Sequence, residues 1–142
     1  MSGSSAAAAD TAALLAKLRA AREHWVEVAP GKRLKFLRPT EAEQLAFVRV
    51  QGNGRQLVVE LEQVQRFAVD WAGFTEADLL GQAVGVSDAV PFDSAVFAEV
   101  IADHLEWLQP AAEGLLQLIV GHRGDQATAE KNSAATSVPG PA

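Results

Sequence analysis

The sequence predicts a mainly α protein of the α+β class, in which a small N-terminal β-hairpin precedes a compact bundle of about four to five helices. Three observations predict it. The apolar residues are chiefly alanine, valine and leucine, and tyrosine is absent, a composition that favours helices. Most segments repeat their apolar residues at helical spacing. One stretch, residues 26–36, instead alternates apolar and polar residues around a Pro-Gly turn, as a hairpin does.

The first predicted elements are an amphipathic helix and this hairpin. Asp10 can cap the helix, and Lys17, Arg19 and Arg22 stay near water. Its apolar stripe is formed by Leu14, Leu15, Leu18 and Trp25. The hairpin follows in "WVEVAPGKRLKFLRP" and ends at Pro39.

Two central helices are predicted next. Thr40 and Glu43 form a T-x-x-E capping box, which starts a helix that runs to about Gln51. The "GNG" at 52–54 ends it. A core helix over 57–71 follows, with one narrow apolar arc made of Leu57, Leu61, Val64, Ala68 and Trp71.

Residues 72–88 contain three glycines and predict an irregular loop with one helical turn. Asp93 can then cap a helix over 94–108. Pro110 suits the first turn of a last helix. The predicted organisation is therefore one helical domain over 10–123, with disordered tails at 1–9 and 124–142, where bulky apolar side chains are scarce.

Composition and charge exclude several classes of function. The net charge of −6 repels phosphate backbones, so nucleic acid is not an expected partner. The chain has no cysteine, which removes disulfides and Cys-ligated zinc. No apolar run approaches the roughly 18 residues that span a bilayer, and the N-terminus lacks the charge pattern of a secretory signal. A cytosolic protein without membrane contact is expected.

The sequence contains no catalytic, cofactor-binding or metal-binding motif, and no cofactor is predicted. His104 shares a predicted helix with Glu99 and follows Asp103, and such a group can act in acid–base catalysis. At helical spacing, however, the two carboxylates point away from the histidine. A small enzyme that uses His104 and nearby carboxylates is the weaker alternative. The basic cluster "GKRLKFLR" could bind an acidic peptide or a phosphate backbone, but the solvated face of a hairpin is favoured.

The two C-terminal helices carry more apolar circumference than the stripe of about 100° that a surface helix needs. Either the domain's own elements cover the excess, or a partner chain or a second copy does. Gly114 and Gly121, seven residues apart, would let another helix approach closely. The candidate partner-binding residues are Trp71, Phe74, Phe92, Phe97, Ile101, His104, Leu105, Trp107, Leu108, Leu116 and Val120.

Three stretches, "RLKFLRPTEAEQLAFV", "VDWAGFTEADLLG" and "AVPFDSAVFAEVIADHLEWL", resemble in order the small tail assembly chaperones of long-tailed bacteriophages. The likeness covers residues 26–120. It implies a chaperone-like domain that binds the tape measure protein, recruits tail-tube subunits in the cytoplasm of the host bacterium, and is absent from the mature virion. A structural protein of the virion, such as a head-tail connector, is the alternative within the same setting.

Overall fold

Helices and short strands are mixed in the first half of the described chain, and only helices follow the last strand. The computed structural model describes residues 2–81 and 87–137. In order, the elements are α1 (Ser2–Ala20), β1 (Glu23–Ala29), β2 (Lys32–Leu37), a 3-10 helix (Glu43–Phe47), β3 (Val48–Gln51), β4 (Gly54–Leu57), α2 (Leu61–Phe67), β5 (Ala68–Ala72), α3 (Glu76–Leu80), α4 (Ser94–Ala102) and α5 (Leu105–Ser137).

The predicted fold class is wrong. The protein is an α+β fold, 54% helical and 24% strand. Within the described residues it has two small antiparallel sheets, with strand orders β1-β2-β5 and β3-β4. The N-terminal hairpin forms as predicted, with Gly31 at φ 76 in its turn. The strands, however, are scattered through the first half of the chain rather than confined to that hairpin.

The helix predicted from Thr40 to Gln51 is replaced by the 3-10 helix and the strand β3. The capping box is present, since Thr40 N–H donates to Glu43 Oε1 at 2.9 Å. The chain then turns through Gly52, which has φ 59, and β3 pairs with β4. A two-residue Gly-Asn loop is a common connection between the strands of a hairpin. The hairpin therefore forms here, although the apolar residues before it have helical spacing.

The core helix predicted over 57–71 is also divided. Only Leu61–Phe67 is helical, and β5 begins at Ala68, where ψ is 130°. β5 pairs with β2, which places Trp71 opposite Leu34 on the inner face of the sheet. A continuous helix would bury Val64 and Trp71, and so does the observed helix followed by a strand. The apolar pattern therefore does not distinguish the two. The strand forms because β2 supplies hydrogen-bond partners for the backbone of β5.

The helix predicted over 94–108 breaks at Asp103 and His104. His104 Nδ1 lies 2.7 Å from the Val100 carbonyl at the end of α4. The carbonyl of His104 accepts from the N–H groups of Trp107 and Leu108, which starts α5. The last helix therefore begins at Leu105, and Pro110 lies inside it rather than at its start.

The core lies between α5 and the inner face of the three-stranded sheet. α5 contributes four buried side chains at intervals of four residues, namely Trp107, Ala111, Leu115 and Ile119. The sheet contributes Val28, Leu34, Phe36 and Trp71. Because i and i+4 lie on the same helix face, one straight stripe of α5 covers the sheet.

The prediction of one domain between two disordered tails stays a prediction. α1 begins at Ser2 and α5 continues to Ser137, so the helices run through both segments assigned to tails. The predicted helical turn in the loop over 72–88 corresponds to α3, where the Thr75 hydroxyl accepts from the Asp78 N–H. Residues 82–86 of that loop lie outside the described residues.

The two glycines predicted to admit a neighbouring helix differ in surroundings, and this difference is testable. A Cβ at Gly114 would overlap Val26 Cγ1 of β1, whereas a Cβ at Gly121 would meet no atom within 4 Å. Gly114→Ala should lower the free energy of unfolding by about 1–3 kcal/mol through overpacking. Gly121→Ala should leave it unchanged or raise it by up to about 1 kcal/mol, because alanine favours helix. Urea denaturation measures both.

Val26→Ala supplies the control for this prediction. In that background the cost of Gly114→Ala should shrink, because the overlapping methyl group is gone. An unchanged cost in both backgrounds would contradict the close approach of α5 to β1.

Candidate protein-binding surface

α1 carries an apolar surface that lies outside the core. We define the leucine face as Leu14, Leu15 and Leu18, whose exposed fractions are 56%, 48% and 57%. Every residue from Asp10 to Ala21 is exposed. At 100° per residue the three leucines span an arc of about 100°, the width of a stripe that normally packs against a core. The structure therefore presents a packing surface without its packing partner.

Sequence reasoning identified this stripe but expected it to continue to Trp25. Trp25 belongs to β1, on the outer face of the sheet, where the Arg33 guanidinium lies 4.8 Å and the Lys35 ammonium 5.6 Å from its ring. Lys35 also pairs with Glu23 at 3.0 Å. Since Leu34 and Phe36 point inward, Arg33 and Lys35 of the basic cluster lie on the solvated face of the hairpin, as favoured from the sequence. Lys32 is instead half-buried and pairs with Asp78 at 3.3 Å.

The eleven residues predicted to bind a partner are placed in three different settings. Five are buried in the core: Trp71, Phe74, Phe97, Ile101 and Trp107. Four are partly buried: Phe92, His104, Leu108 and Leu116. Two are exposed: Leu105, at 62%, and Val120, at 46%. A role of this set in partner binding stays a prediction, and the five core residues could take part only if the core opened.

The aromatic residues among them contact one another. Trp71 stacks on Phe74, with ring centroids 4.7 Å apart, and Phe74 meets Trp107 edge-on at 5.1 Å. The indole N–H of Trp71 donates to the Val90 carbonyl at 2.7 Å. These contacts fasten the segment between β5 and α4 to the core.

The two exposed residues do not form one patch with each other. Leu105 and Val120 are fifteen positions apart on α5, about 22 Å along the helix axis. α1 therefore offers the densest exposed leucine cluster of the described chain, with three leucines within five residues. The exposure of the leucine face was not predicted from the sequence. The signal for it is the alanine-rich remainder of α1, which has few bulky side chains to anchor the helix to the core.

His104 has a structural role in this geometry. A carbonyl can only accept, so Nδ1 carries the hydrogen in its contact with Val100. The ring also stacks on Trp107, with centroids 4.3 Å apart and planes at 11°. Glu99 and Asp103 border the same shallow cavity, of about 400 Å³. Among residues 2–81 and 87–137, no three His, Cys, Asp or Glu side chains are grouped to hold a metal ion.

Glu43 joins three segments next to the start of β1. Its carboxylate accepts from the Thr40 N–H and lies 3.1 Å from Arg66 of α2 and 3.8 Å from Arg22, which follows α1. The hydrogen bond from the Thr40 backbone, together with both guanidinium groups, holds the pKa of Glu43 below its ordinary value. This carboxylate thus fixes the point at which α1 leaves the body.

The same loop holds the middle of α5. Arg123 Nε donates to Gln44 Oε1 at 3.1 Å, and Gln126 Nε2 donates to Glu41 Oε2 at 2.8 Å. The Gln126 hydrogen bond lowers the pKa of Glu41. Gln44 is itself buried and donates to the Pro39 carbonyl. A cavity of about 430 Å³ lies beside this contact, between the end of α1 and α5.

The pKa of Glu43 gives a pH-dependent prediction. Because folding lowers this pKa, the stabilisation is present above the unfolded value of 4.5 and is lost as the pH falls through the folded value. Glu43→Gln keeps an acceptor but removes the charge, so it should cost about 1 kcal/mol at neutral pH. Urea denaturation between neutral and acidic pH should show this cost vanishing below the folded pKa.

Glu99→Gln, on the exposed side of α4, is the matched control and should change stability by less than about 0.5 kcal/mol. A cost for Glu43→Gln that stays constant down to strongly acidic pH would show that its charge does not fasten these segments.

Comparisons with known proteins add no relative to this description. No protein-family model, curated protein or solved structure was found to match the chain. In the part of the chain that the structure describes, no helix combines the length and the apolar character needed to cross a membrane.

Proposed function

We propose that this chain is an assembly chaperone that binds a helical segment of its client through α1. The observation that carries the proposal is the leucine face, which is exposed on a helix beside the folded body. The resemblance to small tail assembly chaperones supplies the client, a phage tape measure protein, to which tail-tube subunits are then recruited. The proposed place of action is the cytoplasm of the host bacterium, and the chain leaves before the virion matures.

The spacing of the leucine face fits a helix-to-helix contact. Helices that bind in a groove or along another helix do so through anchors three and four residues apart. Leu18 lies four residues after Leu14 and three after Leu15, so the three leucines share one face. The surrounding alanines keep the backbone accessible for close approach. A long helical client with apolar stripes offers the complementary surface.

The magnitude of this contact suits a reversible complex. Fully burying a leucine contributes about 1.5–3 kcal/mol, and each leucine here has roughly half its surface to bury. The three together supply about 2–4 kcal/mol, which is less than the roughly 4–15 kcal/mol that association costs. The client therefore needs several such contacts to remain bound, and a chaperone that later leaves must not bind more tightly.

Co-expression with the client tests the proposal. The client to use is a long helix-forming protein from the same gene neighbourhood, which the resemblance predicts. The chain should raise the soluble fraction of that client several-fold, and Leu15→Glu/Leu18→Glu should abolish the effect because it places two charges in the contact. Leu45→Glu, at a leucine that is 72% exposed in the 3-10 helix, is the matched control and should remain active.

A client whose solubility does not depend on the chain would contradict the proposal. Full activity of Leu15→Glu/Leu18→Glu would show that α1 is not the binding surface. Mass spectrometry of purified particles distinguishes the chaperone from the alternative, a head-tail connector. A chaperone should be absent from the particles, and a connector should be present in stoichiometric amount.

A further inference from the structure

We infer that the segment bound by the leucine face is an acidic amphipathic helix, with carboxylate side chains along both borders of its apolar stripe. The inference rests on the proposed function and specifies the chemistry of the client. It follows from the distribution of charge around α1.

Two cations border the leucine face, one on each side. On the helical wheel Lys17 lies about 60° beyond Leu14, and Arg19 lies about 40° beyond Leu15. Both are exposed. Lysine and arginine in these positions extend over a partner helix and pair with its acidic side chains, as the residues that flank the apolar seam of a coiled coil do.

Neither cation is neutralised within the described chain. Arg22 is engaged by Glu43, but no salt bridge to Lys17 or Arg19 occurs among residues 2–81 and 87–137. The chain as a whole has a net charge of −6. α1 is therefore a local basic surface on an acidic protein, and its charges are available to a partner.

A second copy of the chain fits this surface less well. In a pair of α1 helices, Lys17 and Arg19 of both copies would border one seam and repel each other. Asp10, one turn before Leu14, can neutralise only one of the two cations in each helix. An acidic helix neutralises both, which is why we choose it as the occupant.

A lipid surface is also disfavoured. Helices that lie on membranes carry long apolar faces, often with tryptophan or phenylalanine. The leucine face extends over little more than one turn, and α1 contains no aromatic residue. The acidic remainder of the chain would in addition be repelled by anionic lipid.

Two synthetic helical peptides of about 18 residues test the inference. Both carry one leucine stripe; one has glutamate and the other lysine at all bordering positions. Fluorescence anisotropy with the full chain should show the glutamate peptide binding on the order of tenfold more tightly, as two exposed ion pairs would give. The preference should shrink as salt rises from about 20 to 200 mM.

Variants assign the preference to its residues. Lys17→Glu/Arg19→Glu should reverse it, so that the lysine peptide binds better. Arg55→Glu/Lys131→Glu changes the net charge equally at two exposed sites outside α1 and should keep the original preference. Leu15→Glu/Leu18→Glu should abolish the binding of both peptides.

Three results would overturn the inference. The first is equal affinity for both peptides at low salt. The second is a dimer in sedimentation analysis that Leu15→Glu/Leu18→Glu dissociates. The third is binding to vesicles of phosphatidylcholine and phosphatidylglycerol at 7:3 that the same variant abolishes. If the first result occurs while the leucine variant still fails to keep the client soluble, the proposed function stands and only the client's charge is wrong. The second and third results would instead assign the leucine face to a second copy or to lipid, which contradicts both proposals.

Discussion

The close approach of α5 to β1 is the constraint on which the rest of this structure depends. A small three-stranded sheet has one apolar face that must be covered, and α5 covers it with one straight stripe of side chains. This is possible only because Gly114 lacks a side chain where Val26 protrudes from β1. The helix can then lie flat enough for Trp107, Leu115 and Ile119 to be buried together. α2 and α4 pack against α5 and complete the enclosure.

This core explains why five of the eleven predicted binding residues are buried. The sheet and α5 cover much of the apolar circumference of the C-terminal half, while Leu105 and Val120 stay exposed. Trp71, Phe74 and Trp107 form a continuous aromatic contact. The densest cluster of exposed leucines in the described chain lies at the other end, on α1. Alanine-rich helices keep their shape with little tertiary support, so α1 can present leucines beyond the body. Binding through such a helix leaves the core undisturbed, which suits a protein that must associate and then dissociate.

The region around Glu43 connects this exposed helix to the rest of the fold. Arg22 ends the turn after α1, donates to the Arg38 carbonyl and pairs with Glu43. Glu43 in turn holds Arg66 of α2, and the neighbouring Gln44 holds Arg123 of α5. Polar side chains thus fix where α1 emerges, while apolar packing fixes the body. The two kinds of interaction respond differently to pH, since only the polar one contains a titrating group.

The sequence by itself determined the local signals, because these depend on neighbouring residues alone. It specified the hairpin turn at Gly31, the capping box of Thr40 and Glu43 and the cap at Asp93. It also placed Val64, Ala68 and Trp71 in the core, since an apolar residue can be buried in a helix or a strand alike. Only the tertiary structure decided between those two states: β5 is a strand because β2 offers it backbone partners, and β3 is one because Gly52 turns the chain back. Only the tertiary structure decided which apolar surface stays exposed. α5 and the sheet bury each other's apolar faces, so neither of them covers the leucines of α1.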